Sequence, residues 1–121
     1  MPATQAFTRQ HRLLSGSQYQ TVFDHPQWKV GKAAFLLLAT PNGQDLPRLG
    51  LVIGRKRAKR AVDRACIKRR AREQFRQRQQ QLTGLDIILL VRGRIDHPDP
   101  AQVTEQLGAL FDKLLAKSGQ A

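Results

Sequence analysis

The chain has 121 residues, 40% of them hydrophobic, and carries 21 Lys and Arg residues against 9 acidic residues, which gives a formal net charge of +12. This length and composition indicate one globular domain with a single modest core and exclude a disordered chain. The charge predicts a polyanionic partner, namely RNA, DNA or an anionic membrane surface. The single cysteine, Cys66, excludes an intrachain disulfide and a cysteine-based zinc site.

The apolar segments are too short to span a membrane. The longest runs, at 33–39 and 85–91, have the length of strands, whereas a transmembrane helix needs about 20 apolar residues. Residues 1–14 contain no apolar stretch typical of a signal peptide. We therefore expect a cytoplasmic protein with no membrane partner, in which residues 1–11 form a flexible basic arm.

Residues 15–26 predict a short first helix. Ser15 or Ser17 can cap its N-terminus, and Pro26 lies just beyond its end. The spacing of its larger side chains places three of them on one face: Tyr19, Val22 and Phe23.

Two apolar segments predict the first strands. Residues 33–40 form a continuous apolar run that ends at the turn-rich segment 41–47, which favours a buried strand. Residues 48–54 predict a second strand. The pair predicts a hairpin with a long loop.

The second half of the chain alternates helix and strand. We expect a helix over about 60–80, a strand over 84–92 and a helix over 96–117, in which Asp99 is the candidate N-cap and Pro100 takes the first helical position. An apolar stripe marks the last helix: Val103, Leu107, Leu110, Phe111 and Leu114. The order α-β-β-α-β-α predicts an α+β fold, a two-layer sandwich in which helices pack on a small, mostly antiparallel sheet.

The most unusual segment is the basic one at 55–78, which contains twelve Lys or Arg residues and two acids. Ile67, Ala71 and Phe75 lie within about 80° of one helix face, as a core stripe would. Basic residues recur at every fourth position from 60 to 76, and each such like-charge pair destabilises a helix by about 0.2–0.5 kcal/mol. A polyanion would relieve this repulsion, so we predict nucleic-acid binding rather than a merely solvated face.

The candidate nucleic-acid contacts come from this helix and the segment before it. Arginine predominates among them, and its planar fork suits phosphate contacts. The full set is Arg55, Lys56, Arg57, Lys59, Arg60, Arg64, Lys68, Arg69, Arg72 and Arg76. RNA is favoured over DNA only weakly, because no helix-turn-helix or zinc-finger spacing is present. A structural RNA-binding protein and a DNA-binding protein therefore remain alternatives.

Catalysis by the chain itself has little support. His11, His25 and His97 show no metal-ligand spacing, and no pair of acids indicates a two-metal site. Cys66 has no evident base partner, so we interpret it as a packing residue. We therefore predict no catalytic residue, no metal site and no cofactor held by the protein.

Four segments together resemble the protein subunit of bacterial ribonuclease P. They are RLLSGSQYQTVF (12–23), RLGLVIGRK (48–56), AVDRACIKRRAREQFR (61–76) and LDIILLVR (85–92). The family's characteristic Arg-Asn-Arg tripeptide is represented here by Arg64, Ala65 and Cys66, so only its first arginine is retained. The resemblance therefore implies the loss of the RNA contacts that the two missing side chains would make.

The resemblance implies a role in tRNA processing within a single RNA-binding domain over 1–121. The catalyst would be a large RNA that uses magnesium to cleave precursor tRNA at its mature 5′ end. This chain would be its non-catalytic protein subunit, present as a monomer in a complex of one protein and one RNA. The basic helix would bind the catalytic RNA.

The resemblance also implies that the 5′ leader of precursor tRNA binds in a cleft between the first helix and the sheet. The candidate cleft walls are Tyr19, Phe23, Phe35 and Leu37. A core position is an equal alternative for Phe23 and the favoured one for Phe35.

Overall fold

The computed structural model describes residues 11–12 and 16–119 and shows an α+β fold. The elements are α1 (Gly16–Asp24), β1 (Trp28–Lys32), β2 (Phe35–Pro41), β3 (Arg48–Val52), α2 (Ala61–Arg78), β4 (Leu85–Val91) and α3 (Pro100–Ser118). The predicted fold class is confirmed, with one strand, β1, that the sequence did not predict. Ser15 and all of the predicted basic arm except His11 lie outside the described residues.

The four strands form one mixed sheet in the order β1-β2-β4-β3. The pairs β1–β2 and β2–β4 are antiparallel, and β3–β4 is parallel, so the prediction of a mostly antiparallel sheet is confirmed. The predicted hairpin of β2 with β3 was wrong, because β4 lies between them. Six of the seven residues of β4 are buried, which explains why this strand occupies an interior position.

The strand β1 forms a tight hairpin with β2. Lys32 pairs with Phe35 across a turn at Ala33 and Ala34, and Ala33 adopts a positive φ of 53°. Such turns usually contain Asn-Gly or Asp-Gly, and neither is present here. The sequence therefore lacked the local pattern that would have predicted this hairpin.

The main core lies between one sheet face and the helices α2 and α3. Ile67, Ala71 and Phe75 are fully buried, which confirms the predicted stripe on α2. The ring of Phe75 meets that of Phe111 edge to face at a centroid distance of 6.4 Å. The predicted stripe of α3 is also buried. The basic helix α2 thus packs against α3 through apolar faces, and its Lys and Arg side chains lie outside this core.

The start of α3 matches its sequence pattern. The carboxylate of the N-cap residue Asp99 accepts a hydrogen bond from the backbone N–H of Ala101 at 3.1 Å, and Pro100 takes the first helical position. At the other end, Gly119 adopts the left-handed conformation typical of a helix C-cap.

Helix α1 packs on the opposite face of the sheet. Its buried residue Val22 joins Leu38 of β2 and Ile88 of β4 in a second, smaller cluster. Because α1 covers only part of this face, some apolar side chains beside it stay partly exposed. The partly buried side chains that pack against this cluster are Tyr19, Leu36, Val52 and Leu90.

Candidate nucleic-acid interface

The outer face of α2 carries an open groove of about 420 Å³. Its floor includes the exposed small residue Ala65, and its remaining lining is Lys68, Arg69, Arg72, Glu73 and Arg76. All four basic side chains belong to the predicted contact set. The helical repeat places them together because they lie opposite the buried stripe. A groove with four cations around it suits an RNA backbone.

Charges in the groove perturb one another. Hydrogen bonds from Arg76 and Gln77 hold the pKa of Glu73 below its usual range, and the Arg76–Glu73 ion pair is 2.5 Å long. Burial, and then the nearby charge of Arg12, lower the pKa of Arg72. Arg12 itself forms an isolated parallel β-bridge with Leu49 of β3. The groove lining therefore contains a local ion pair and more basic than acidic side chains.

A basic loop, residues 54–60, connects β3 with α2 at one end of this groove-bearing helix. Its five Lys and Arg side chains are exposed, whereas Ala58 is fully buried: the exposed residues are Arg55, Lys56, Arg57, Lys59 and Arg60. The backbone N–H groups of Arg57 and Ala58 both donate to the carbonyl of Gly54 at 3.1 Å. This tight turn presents the five cations at the positive end of the α2 dipole, where an anion is favoured.

Arg64 stands apart from the other candidate contacts. It is half-buried and absent from the groove lining. Its Nη1 donates to the carbonyl oxygens of Ala58 at 3.0 Å and Lys59 at 2.8 Å. The one retained residue of the family tripeptide therefore contacts the basic loop of its own chain.

Two of the four candidate cleft residues, Tyr19 and Phe23, belong to α1 and are not fully buried. Tyr19 packs so closely on β3 that a Cβ added to Gly50 would lie 2.6 Å from its Cε1 atom. The exposed fraction of the Phe23 side chain is 40%, so Phe23 is not a core residue. Tyr19 packs against the cluster of Val22, Leu38 and Ile88, and Phe23 lies one turn further along α1.

The prediction that Phe35 and Leu37 line this cleft was wrong. Their exposed fractions are 1% and 0%, and both belong to the main core under α2 and α3. Side chains alternate along a strand, so their neighbours Leu36 and Leu38 face α1 instead. The sequence could not show this, because a strand that is apolar on both faces has no visible alternation.

Sequence reasoning missed several residues of the cleft. Leu36, Val52 and Leu90 are partly buried beside α1. The guanidinium of Arg92 lies over Gly31, where an added Cβ would be 2.6 Å from Nη1. Because side chains alternate along a strand, Val52 and Leu90 could have been assigned to the face under α1, but only once the order of the strands was known.

A polar pocket of about 260 Å³ lies at another part of the α1 face, where α1 meets the ends of the strands. It contains a two-pronged ion pair, in which Arg48 Nε and Nη2 donate to Asp86 at 2.7 and 2.8 Å. Asn42 donates to the same carboxylate at 3.0 Å. This buried pair fixes β3 against β4 directly below α1.

The described residues contain neither a cluster of metal-ligating side chains nor a helix that could cross a membrane. Within 11–12 and 16–119, no three His, Cys, Asp or Glu side chains group so that they could hold a metal ion. No helix in those same ranges is both long and apolar enough for a membrane crossing. Cys66 is a half-buried free thiol on α2.

Comparison with known proteins gives the family. A family model described as Ribonuclease P matches residues 7–115. The ribonuclease P protein component of Alcanivorax borkumensis is 74% identical over 121 residues, which cover 100% of both chains. That of Pseudomonas aeruginosa strain PAO1 is 45% identical over 109 residues, which cover 90% of this chain and 81% of the relative.

Solved structures show the same fold. The RNase P protein of Thermotoga maritima superposes with a TM-score of 0.70 at 29% identity, covering 84% of this chain and 96% of the other. For the Staphylococcus aureus RNase P protein the TM-score is 0.76 at 24% identity, with 86% and 94% covered. The chain therefore belongs to the ribonuclease P protein family, the protein components of an endoribonuclease that processes tRNA and whose catalyst is RNA.

Proposed function

We propose that this chain binds the catalytic RNA of ribonuclease P through α2 and the basic loop, and the 5′ leader of precursor tRNA through the α1 cleft. The observation that carries the proposal is the separation of two different surfaces on one small domain. One is a cationic groove with a cationic loop. The other is an aromatic and aliphatic cleft on the far side of the sheet.

The cationic surface suits a folded RNA. Its groove is formed along one rigid helix, and lysine and arginine side chains on such a helix can follow phosphates without reading bases. The lost tripeptide side chains, at Ala65 and Cys66, leave the other groove cations in place. Binding by charge releases counterions, so affinity should fall steeply with salt.

The cleft suits a single strand of variable sequence. Tyr19 and Phe23 provide aromatic faces on which bases can stack, and stacking tolerates any base. Leu36, Val52 and Leu90 supply an apolar floor beside them. Arg92 lies close enough to this face to neutralise a backbone phosphate.

The contribution to cleavage is electrostatic. Leader, tRNA and catalytic RNA repel one another, and a protein of net charge +12 between them lowers that repulsion. Magnesium ions, used by the RNA, are then needed at lower concentration. The protein acts as one copy per RNA in the cytoplasm, and it supplies no catalytic group.

The test is cleavage of a precursor tRNA by a bacterial ribonuclease P RNA at low magnesium, with and without the protein. We expect cleavage at the mature 5′ end only when the protein is present. A protein that binds the RNA without restoring cleavage would show that the α2 surface binds unproductively. Equal affinity for unrelated RNA or duplex DNA would replace the proposal with general nucleic-acid binding.

A further inference from the structure

The basic loop is fixed from both sides by its own protein. Besides the turn at Gly54, the backbone N–H of Ile95 donates to the carbonyl of Arg57 at 2.7 Å. The buried Ala58 anchors the middle of the loop in the main core. Five exposed cations therefore project from a backbone that is already ordered.

Arg64 completes this arrangement from the first turns of α2. A single nitrogen, Nη1, donates to two successive loop carbonyls, those of Ala58 and Lys59. Hydrogen bonds from a charged donor are about twice as strong as neutral ones. The arginine thereby satisfies loop carbonyls and restricts the backbone on which Lys59 stands.

Asp63 provides the second connection. It is 4% exposed although it lies on the most basic segment of the chain. Its Oδ2 lies 3.6 Å from Arg60 Nε and accepts from the backbone N–H of His97 at 3.3 Å. Arg60 also contacts the His97 ring. One buried carboxylate thus joins the basic loop, α2 and the segment before α3.

We propose that Asp63 and Arg64 are positioning residues that hold the basic loop in its RNA-binding shape. The inference rests on the proposed function and extends it to residues that need not touch RNA. It has a counterintuitive consequence. Removing the acidic side chain of Asp63 makes the protein more positive, yet it weakens RNA binding.

The physical reason is preorganisation. A flexible loop must be ordered when RNA binds, and that ordering reduces affinity. Simple electrostatics predicts the opposite sign, because loss of a negative charge near phosphates strengthens attraction. Glu73 supplies the matched control. It is an acid on the same helix, it is only partly buried, and it pairs with Arg76 rather than with the loop.

The first experiment compares Asp63→Ala with Glu73→Ala in binding to a bacterial ribonuclease P RNA over a range of salt. We expect Asp63→Ala to bind about tenfold more weakly than wild type, the scale of one lost hydrogen bond to a charged group. Glu73→Ala should bind more tightly than wild type, because it removes a negative charge from the groove and releases Arg76 from its ion pair. If both variants bind more tightly, charge alone governs this surface and the proposal is overturned.

A second experiment tests Arg64 without relying on Asp63. If Arg64 acts through the loop, its effect must depend on Lys59. In a double-mutant cycle, the loss of RNA-binding free energy in the double variant Arg64→Met, Lys59→Met should therefore be smaller than the sum of the two single losses. Arg69→Met and Lys59→Met, which share no contact, should be additive. Additivity in both cycles would mean that Arg64 acts as an independent phosphate contact.

Hydrogen exchange on the free protein separates this inference from the proposed function. In Asp63→Ala and Arg64→Met, the amides of Ile95 and His97 should exchange faster, while those of the β1–β2 ladder stay protected. Unchanged exchange at both amides would show that Asp63 and Arg64 do not hold the basic loop, even if RNA binding fell. Faster exchange in a protein that binds no ribonuclease P RNA would support the positioning role of Asp63 and Arg64 and overturn the proposed function.

Discussion

Replacing Lys68 by glutamine should weaken RNA binding and stabilise the free protein. Lys68 lines the α2 groove and stands four residues from both Arg64 and Arg72. Each like-charge pair at this spacing destabilises a helix by about 0.2–0.5 kcal/mol. Glutamine keeps nearly the same helix propensity as lysine. Loss of two pairs should therefore raise the free energy of unfolding by about 0.4–1 kcal/mol.

Arg69→Gln is the matched control on the same helix. Arg69 also lines the groove, but its neighbour at i+4 is Glu73, an opposite charge. Its replacement should leave the free energy of unfolding unchanged or lower it by a few tenths of a kcal/mol. Both variants should lose about one unit of the slope of log affinity against log salt, the change expected for one phosphate contact.

The assays are urea unfolding of the free protein and RNA binding across a salt series. The expected result is two similar losses in salt slope, with a rise in the free energy of unfolding for Lys68→Gln and none for Arg69→Gln. If Lys68→Gln is less stable than wild type, other groups of the free protein already compensate the repulsion between the α2 cations. If the salt slope stays unchanged in both variants, the groove is a solvated surface and the RNA lies elsewhere.

Three further changes test the cleft and its support. Tyr19→Ala should weaken the binding of precursor tRNA more than that of mature tRNA, measured by parallel titrations of the holoenzyme; equal losses would remove Tyr19 from the leader site. Gly50→Ala should produce the same selective loss, because the new Cβ would displace the Tyr19 ring from its position 2.6 Å away; full leader discrimination would show that the ring can shift at no cost. Asp86→Ala should lower the free energy of unfolding by about 3 kcal/mol, since it leaves Arg48 without its buried partner; a loss below about 1 kcal/mol in urea unfolding would mean that solvent replaces the carboxylate.

Local patterns in the sequence were sufficient for the two long helices. The N-cap at Asp99 and the buried stripes of α2 and α3 depend on residues within a few turns of one another, so periodicity could reveal them. Strand partners are different, because pairing depends on segments far apart in the chain. The sequence showed that β2 and β3 were strands, but only packing of β4 could separate them.

The same distinction explains which site residues could be found. The groove cations share a helix face, so their spacing was enough to place them together. The cleft is formed by α1 and three strands, and its apolar members depend on sheet order and on strand parity. Phe35 and Leu37 were misplaced for that reason, since a strand buried on both faces gives no sign of which side each residue faces.

The structure also changes the interpretation of the altered tripeptide. In the sequence, Ala65 and Cys66 suggest the loss of two RNA contacts. In the structure, Arg64 contacts loop carbonyls rather than the groove, and the exposed Ala65 is part of the groove floor. The cations that surround the groove and occupy the loop lie outside the tripeptide. If the tripeptide's first residue organises the surface and its second leaves space between the cations, we expect the chain to bind RNA without the missing asparagine and arginine.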